Sequence, residues 1–581
     1  MNTFNLFKYF HFFKKNQKFS LIIPALMISL AAQAELRQVD FNGDGYADAA
    51  IGSPLKDIKK KNQMSFVTNA GQVTILYGTP EGLSGSGSAT NILNRSVEDV
   101  QGSLETSQEF GAALATGDFD GNGLTDLAVG IPGDKNHRGS VQIFYSDLAC
   151  DGVCHDFSHI IHSDIDTMLG KAETGERLGS SISAGDFNND GIDDLAMGIP
   201  GYSLNDKPQA GALLVMYGSH SGLNPYETKA TELIHLDLAH AVLGKTNAAQ
   251  ENEHYGEGPM VSGDFNCDSY EDLAIGIPSH SASKNAFQSG AVHVLYGSRE
   301  GLTPRAEQPG HLWEQSIFIN EKPEAEDRFG AALLAGHFLN LHSSNQQSCV
   351  DLAIGVPGES DYEGVEVIGG IGEPSQEIPV QMRHHGMVQI LQGSFQGLVA
   401  MNYQNILPPK PYHNMFFGES LSMGYFNDDN QLDLAVGSPG YGVETGEGAV
   451  YLFFAKNQRI SSSDYGSYSQ ASNYIVGDPE GIGTEENGGD HFASTLGSGD
   501  FDGNGQDEVL VGVPNESYHS TFELGMLHEI HLSQDWLPIT TNKTRTWTEE
   551  KCNAAFCQEI LSPSGANAYD RFGSVLSQAR P

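Results

Sequence analysis

The stretch VDFNGDGYADAAIGSP, Val39 to Pro54, decides how the rest of the chain is read. It joins two local codes. Its first half puts oxygen-bearing side chains at Asp40, Asn42, Asp44 and Asp48, positions 1, 3, 5 and 9 of a loop, with Gly45 at the sharp turn. Its second half, DAAIGSP, is apolar on both faces of a pleat, as a strand buried from two sides requires. The pairing recurs, as GDFDGNGLTDLAVGIPG from Gly117 to Gly133 and GDFNNDGIDDLAMGIPG from Gly185 to Gly201. Loops begin at Asp40, Asp118, Asp186, Asp264, His337, Tyr425 and Asp500, at intervals of 78, 68, 78, 73, 88 and 75 residues.

Each buried strand is followed by a Gly-led strand, such as GQVTILYGTPEGL, GALLVMYGSHSGL or GAVHVLYGSREGL. A shorter run rich in β-branched residues comes next: HIIHSD, ELIHLD, QSIFIN, NYIVGD. A Phe-Gly segment, or a near variant, precedes each loop but the first, so every repeat offers four strands in a fixed order. Four-stranded sheets repeated at this period predict an all-β fold, a seven-bladed β-propeller. An open β-solenoid is the competing reading, with a much shorter repeat. The first copy lacks its Phe-Gly segment, and YDRFGSVLSQARP at the far end supplies one, at Phe572-Gly573, without a loop after it. Phe110 and Phe492 stand eight residues before Asp118 and Asp500; eight residues after Phe572 is Arg580, next to the last residue. The N- and C-termini are therefore expected to complete one blade between them, which removes exposed sheet edges.

The loop pattern is in register at Asp40, Asn42, Asp44 and Asp48; at Asp118, Asp120, Asn122 and Asp126; at Asp186, Asn188, Asp190 and Asp194; at Asp264, Asn266, Asp268 and Asp272; and at Asp500, Asp502, Asn504 and Glu508. Position 7, which is Tyr46, Leu124, Ile192, Tyr270 or Gln506, would offer a backbone carbonyl. Alternating oxygen donors around a glycine turn suit calcium, which takes several oxygens at roughly 2.3–2.6 Å; magnesium, with its stricter octahedron, is second choice. Carboxylates about 5 Å apart repel by up to roughly 3 kcal/mol per pair at an effective dielectric near 20, which a bound cation relieves. Asp, Asn and Gly are also ordinary turn residues. Their matching register in five loops is what favours the ion. Position 12 is Ile51 or Val129 where a helical calcium hand has glutamate. The fifth loop, with His337 at position 1 and an insertion before Asp351, is expected to bind no calcium. The sixth keeps Asn427, Asp429 and Asp433 but begins with Tyr425.

Residues 1–34 read as a secretory signal, with Lys8, Lys14, Lys15 and Lys18, then LIIPALMISLAA, then Ala32-Gln33-Ala34 as a cleavage site. The apolar run, 12 residues from Leu21 to Ala32, is short of the roughly 20 a spanning helix needs. No other run of that kind follows, so no membrane anchor is expected in the mature chain, residues 35–581. Without the four lysines the balance is 27 basic against 74 acidic residues, a net charge of −47. Nucleic acid is thereby an improbable partner, since its affinity comes largely from Lys and Arg. Six cysteines in an exported chain favour disulfides. Cys150 with Cys154, and Cys552 with Cys557, are close enough to pair locally, which leaves Cys267 with Cys349, although six cysteines allow fifteen connectivities. Cys267 lies in the fourth loop and Cys349 in the fifth, so their disulfide would staple the loop that lacks an ion.

Phe-Gly, the loop D-x-[DN]-x-[DN]-G-x-x-[DE] and Gly-x-Pro together resemble the FG-GAP repeat of integrin alpha-chain propellers. The same repeat occurs in glycosylphosphatidylinositol-specific phospholipase D and in many exported bacterial proteins. The pairs here are Phe110-Gly111, Leu178-Gly179, Tyr255-Gly256, Phe329-Gly330, Phe417-Gly418, Phe492-Ala493 and Phe572-Gly573. The resemblance implies a seven-bladed propeller with calcium in the hairpin loops between the first two strands of blades. It implies adhesion or ligand binding as a family tendency. Unlike integrin alpha chains, this chain is expected to stop where the propeller ends, and unlike the phospholipase it is expected to carry no catalytic domain ahead of it.

No G-x-S-x-G, phosphate-binding G-x-x-x-x-G-K or H-E-x-x-H is present. HEIH, His528 to His531, lies in an expected strand that sends the two histidines to opposite faces, and it reads as structural or surface residues. The insertion from Tyr362 to His385 reads as a solvated, variable loop, with partner binding or metal capture as the alternative. The expectation is an exported protein, secreted or periplasmic and monomeric. It would bind calcium and act as a binding or adhesion module toward an extracellular protein or glycan. A propeller lyase or hydrolase acting on polysaccharide is the competing function, because its residues would converge in space and leave no motif.

Overall fold

The apolar runs that follow the loops become strands whose every residue is buried, as in Asp126–Ile131, Asp194–Ile199, Asp272–Ile277 and Asp433–Ser438. The computed structural model describes residues 38–61, 64–84, 91–150, 152–162, 173–204, 207–223, 231–237, 249–302, 311–318, 322–339, 349–360, 362–368, 376–427, 429, 431–441, 447–457, 459–469, 491–515, 525–532, 545–547 and 575–576. The signal segment 1–34, Cys552 with Cys557, Phe572-Gly573 and Arg580 lie outside them.

Seven four-stranded antiparallel sheets form the blades of a β-propeller. Blade two, from inner to outer strand, is Ala113–Gly117, Asp126–Ile131, Ser140–Asp147 and Gly152–His162. Blades three and four begin at Ile182–Gly185 and Met260–Gly263, blades five, six and seven at Ala332–Gly336, Ser420–Gly424 and Thr495–Gly499. Blade one takes its strands from both ends of the chain. Val575–Leu576 pairs with Ala49–Ser53, through Ile51 opposite Leu576 and Gly52 opposite Val575, and Gln72–Leu76 and Asn91–Leu93 complete the sheet.

The core lies between blades. Phe41, Val73 and Ile75 of blade one pack with Leu127, Val129 and Phe144 of blade two, and Ile51 and Leu76 pack with Phe501, Leu510 and Leu527 of blade seven. Each such side chain contributes roughly 1.5–3 kcal/mol when fully buried. The Phe-Gly and Gly-x-Pro motifs meet across these seams. A Cβ on Gly130 of Gly-Ile-Pro would overlap the carbonyl oxygen of Gly179 in blade three, and Gly276 stands the same way against Gly330. Glycine is required there because one blade's backbone presses on the next. A second seam contact ties the outer parts of the sheets. Tyr145 Oη of blade two accepts the Leu223 N–H of blade three at 2.9 Å, and Tyr217 Oη accepts that of Leu302 at 3.1 Å.

Disulfides join Cys150 to Cys154 and Cys267 to Cys349. Outer strands depart from the sequence expectation in two blades. In blade four the strand is His311–Trp313, paired through Val292 opposite Trp313, while Gln315–Ile317 of QSIFIN makes a 3-10 turn. In blade six it is Ile460–Tyr468, and NYIVGD falls outside the described residues. An outer strand has one neighbour and a wet flank, so local β-propensity specifies it weakly. The insertion also differs from a loop, because Tyr362–Ile368 and Gln376–Met382 pair as a two-stranded ribbon. No helix of the described residues is long and apolar enough to cross a membrane.

Candidate metal centre

The acidic loops connect the first and second strands of each blade. Position 2 is phenylalanine throughout (Phe41, Phe119, Phe187, Phe265, Phe338, Phe426 and Phe501), and every one is buried. The ring anchors the loop, and its N–H reaches the acid at position 9. Phe41 N–H donates to Asp48 Oδ2 at 2.8 Å, Phe119 N–H to Asp126 at 2.9 Å, Phe187 N–H to Asp194 at 3.0 Å and Phe265 N–H to Asp272 at 2.9 Å. The other oxygen accepts from the end of the third strand: Gly78, Ser146, Gly218 and Gly297 N–H donate to Asp48, Asp126, Asp194 and Asp272 at 2.8–2.9 Å. Asp351 of the fifth blade does the same for Leu339 and Gly393 N–H. The position 9 acid thus has a structural task even where the rest of the ion pattern is lost.

Positions 1, 3 and 5 fold each loop around its own side chains. Asp40 accepts Gly43 and Gly45 N–H at 2.7 and 2.9 Å, Asn42 accepts Asp44 N–H at 3.1 Å, and Asp44 accepts Tyr46 N–H at 3.0 Å. Asp118, Asp186, Asp264 and Asp500 each accept the N–H groups four and five residues on. Asn122 accepts Leu124 N–H, Asp190 accepts Ile192 N–H, Asp268 accepts Tyr270 N–H and Asn504 accepts Gln506 N–H. Asn188 Oδ1 is buried without a hydrogen-bond partner. The sixth loop keeps part of the pattern, with Asp429 N–H on Asn427 and Gln431 N–H on Asp429, both at 2.8 Å. In the fifth, His337 stands at position 1, and burial lowers its pKa while a Cys349 backbone contact raises it.

Carboxylates are drawn together in this frame. Ligand atoms of Asp118, Asp120 and Asp126 lie within 4.8 Å of one another. Burial, with the neighbouring acids adding to it, pushes Asp48 and Asp126 up to about 8 against the pull of backbone donors, and raises Asp194 and Asp272 well above the usual range. A desolvated carboxylate beside two others is a poor resident at neutral pH unless protonated or offset by a cation. The donor set, hard oxygens only, fits calcium.

The loops share one rim. The residue at position 8 donates its backbone N–H to the position 1 carbonyl of the loop before: Thr125 to Asp40, Asp193 to Asp118, Glu271 to Asp186, Val350 to Asp264, Asp507 to Tyr425 and Ala47 to Asp500. Position 7 side chains add packing, since Leu124 lies over Gly43, Ile192 over Gly121 and Tyr46 over Gly503. Position 7 thus serves the seam with its side chain as well as offering a carbonyl, and nothing in a single repeat signals this cross-blade use.

Blade seven departs from the others. Its position 9 acid is Glu508, which accepts Phe501 N–H at 2.9 Å, but its other oxygen faces His531 Nδ1 at 3.1 Å. Asp502 Oδ2 is 3.8 Å from the same nitrogen, and His531 Nε2 donates to Glu529 Oε1 at 2.9 Å. Asp502, Glu508 and His531 form a second metal-capable cluster, all buried. Burial lowers the His531 pKa, and Glu508 and Glu529 outweigh it to raise it to about 9. His531 is thus no surface residue; His528 is buried too, against the Phe492 ring. The missed signal was positional. His531 stands where Tyr77, Tyr145, Tyr217 and Tyr296 end the third strands of earlier blades.

The FG-GAP repeat family matches residues 36–76, 110–144, 178–216, 417–453 and 492–525. The chain is 29% identical over 216 residues to integrin alpha pat-2 of Caenorhabditis briggsae, which covers 36% of this chain and 15% of that protein. It is 30% identical over 250 residues to integrin alpha-PS5 of Drosophila melanogaster, covering 43% and 21% respectively. To phosphatidylinositol-glycan-specific phospholipase D of Rattus norvegicus it is 37% identical over 125 residues, 22% of this chain and 14% of that one. Its match thus spans well under a quarter of each relative's length. FG-GAP repeats thus stand at five places on a seven-bladed, integrin-alpha-like β-propeller.

Proposed function

We propose that this chain is an exported, calcium-stabilised propeller that works as a binding or adhesion module. The observation that carries the reading is the five-fold recurrence, on one rim, of a loop whose Asp and Asn side chains surround a buried Asp or Glu. Calcium would be structural. It would neutralise the acids where successive loops are bonded together, and so favour the folded ring by mass action.

Partner contact is assigned to the opposite rim. Connections between second and third strands emerge there, because neighbouring strands in each blade are antiparallel. They are the connections that differ most between blades, bearing the ribbon of Tyr362–Ile368 with Gln376–Met382 in blade five and that of Ile58–Lys59 with Phe66–Val67 in blade one. Exposed loops of unequal length on a rigid frame are where recognition is usually placed. The two disulfides and the signal-like leader support an exported location.

The experiment is a binding screen of the calcium-loaded protein against surface proteins and glycans, run beside an assay for products released from polysaccharides. Saturable binding without turnover, lost when residues 361–383 are replaced by a short Gly/Ser link, is the expected result. Turnover of a polysaccharide would replace this reading with that of a propeller enzyme.

A further inference from the structure

Blade seven holds a loop whose chemistry is unlike that of its siblings. The other four loops with the full acid pattern offer side-chain oxygens at positions 1, 3, 5 and 9, whereas here an imidazole nitrogen, on a residue 2% exposed, also points between two carboxylates. We propose that Asp502, Glu508 and His531 of this loop hold a divalent transition-metal ion of the zinc class in place of the calcium assigned to the other four acid loops.

Three features carry this. The first is the donor set: two carboxylates and one imidazole, with no pair of ligand atoms more than 4.8 Å apart, suit zinc or its neighbours better than calcium, which takes oxygen ligands. The second is orientation. Glu529 accepts from Nε2 at 2.9 Å, which fixes the hydrogen on that nitrogen and turns Nδ1 toward Asp502 and Glu508. A carboxylate behind a histidine in this way is the usual support of a metal-bound imidazole. The third is what Nδ1 meets. It faces Glu508 Oε1 at 3.1 Å and Asp502 Oδ2 at 3.8 Å, so two carboxylate oxygens converge on one buried nitrogen.

The same site sits at the ring closure. Glu529 Oε1 also accepts the Leu83 N–H of blade one at 3.3 Å, the task performed elsewhere by Tyr145 and Tyr217. Histidine and glutamate have thus taken over the tyrosine seam where blade seven meets blade one, and an ion held by His531 would brace it.

The test uses the full mature chain with calcium in excess, titrated with Zn2+ by calorimetry and with Co2+ by visible absorption. One zinc-class site is expected in the wild type. His531→Gln should abolish that site and its Co2+ spectrum, and Glu529→Gln should weaken Zn2+ binding about 10–100-fold. Thermal melts in calcium establish that each variant is folded, and Asp502→Asn serves the same comparison should His531→Gln not fold. Absence of the Zn2+ site in the wild type, or its survival in His531→Gln, overturns the proposal and leaves His531 as an imidazolium between two acids. The proposal does not rest on calcium in the other loops: failure of that reading would appear as a melt indifferent to calcium, and failure of this one as a lost Zn2+ site alone.

Discussion

At the scale of single residues, this protein stores charge in places from which water is excluded, and each case depends on a named partner. Arg95 and Asp134 form an ion pair at 2.9 Å with both side chains at most 2% exposed. Burial raises the Asp134 pKa, and Arg95, Ser140 and Gln108 outweigh it to leave the pKa lowered. Removing one partner strands the other, so Arg95→Ala should destabilise by about 3–5 kcal/mol in denaturant titration. A loss below 1 kcal/mol would show that the pair is wet. The position 9 acids have the opposite bias. Asp48 and Asp126 sit near 8 in the folded chain against an ordinary 3.8, so between about pH 4 and 8 the folded state holds protons the unfolded state has shed. Without calcium, stability should therefore fall as pH rises through that window. Calcium needs the carboxylates ionised, so the rise in Tm it produces should grow from pH 5 to pH 8. An equal rise at both ends would separate the ion from these acids.

At the scale of elements, the buried strands, the Gly-led strands and the seams were legible because each is specified by more than one constraint. A run such as DLAVGI is apolar on both faces, opens at an acid that must bond backbone and carries, one residue before its end, a glycine on which the next blade presses. The outer strands of blades four and six and the ribbon at Tyr362–Met382 were not legible, since an element with one neighbour leaves little periodicity in the sequence. The Tyr145 seam belongs to a third kind, in which the residue is visible and its purpose is not. Tyr145→Phe keeps the ring and removes the acceptor of Leu223 N–H. A buried amide left unpaired costs about 1–3 kcal/mol, and a loss in that range is expected by chemical denaturation. A neutral change would mean that packing alone holds blade two to blade three.

At the scale of the whole molecule, closure is the organising fact. Loop is bonded to loop at six junctions of one rim, including Ala47 to Asp500 between blade seven and blade one. Blade one is itself completed by Val575–Leu576 from the far end of the chain. Ending the chain before Tyr569 should thus expose the edge of Ala49–Ser53 and lower Tm far more than loss of an unpaired tail would. A truncated chain melting with the full one would deny that the termini lock the ring. How many ions the acid loops take, and what they do for the ring, is the claim on which the proposed function stands. The most direct measurement is the melting temperature of the purified chain in calcium, after chelation, and after calcium is restored. The account predicts a clear fall on chelation and full recovery with calcium. An unchanged melt, from protein whose elemental analysis finds no calcium, would contradict it.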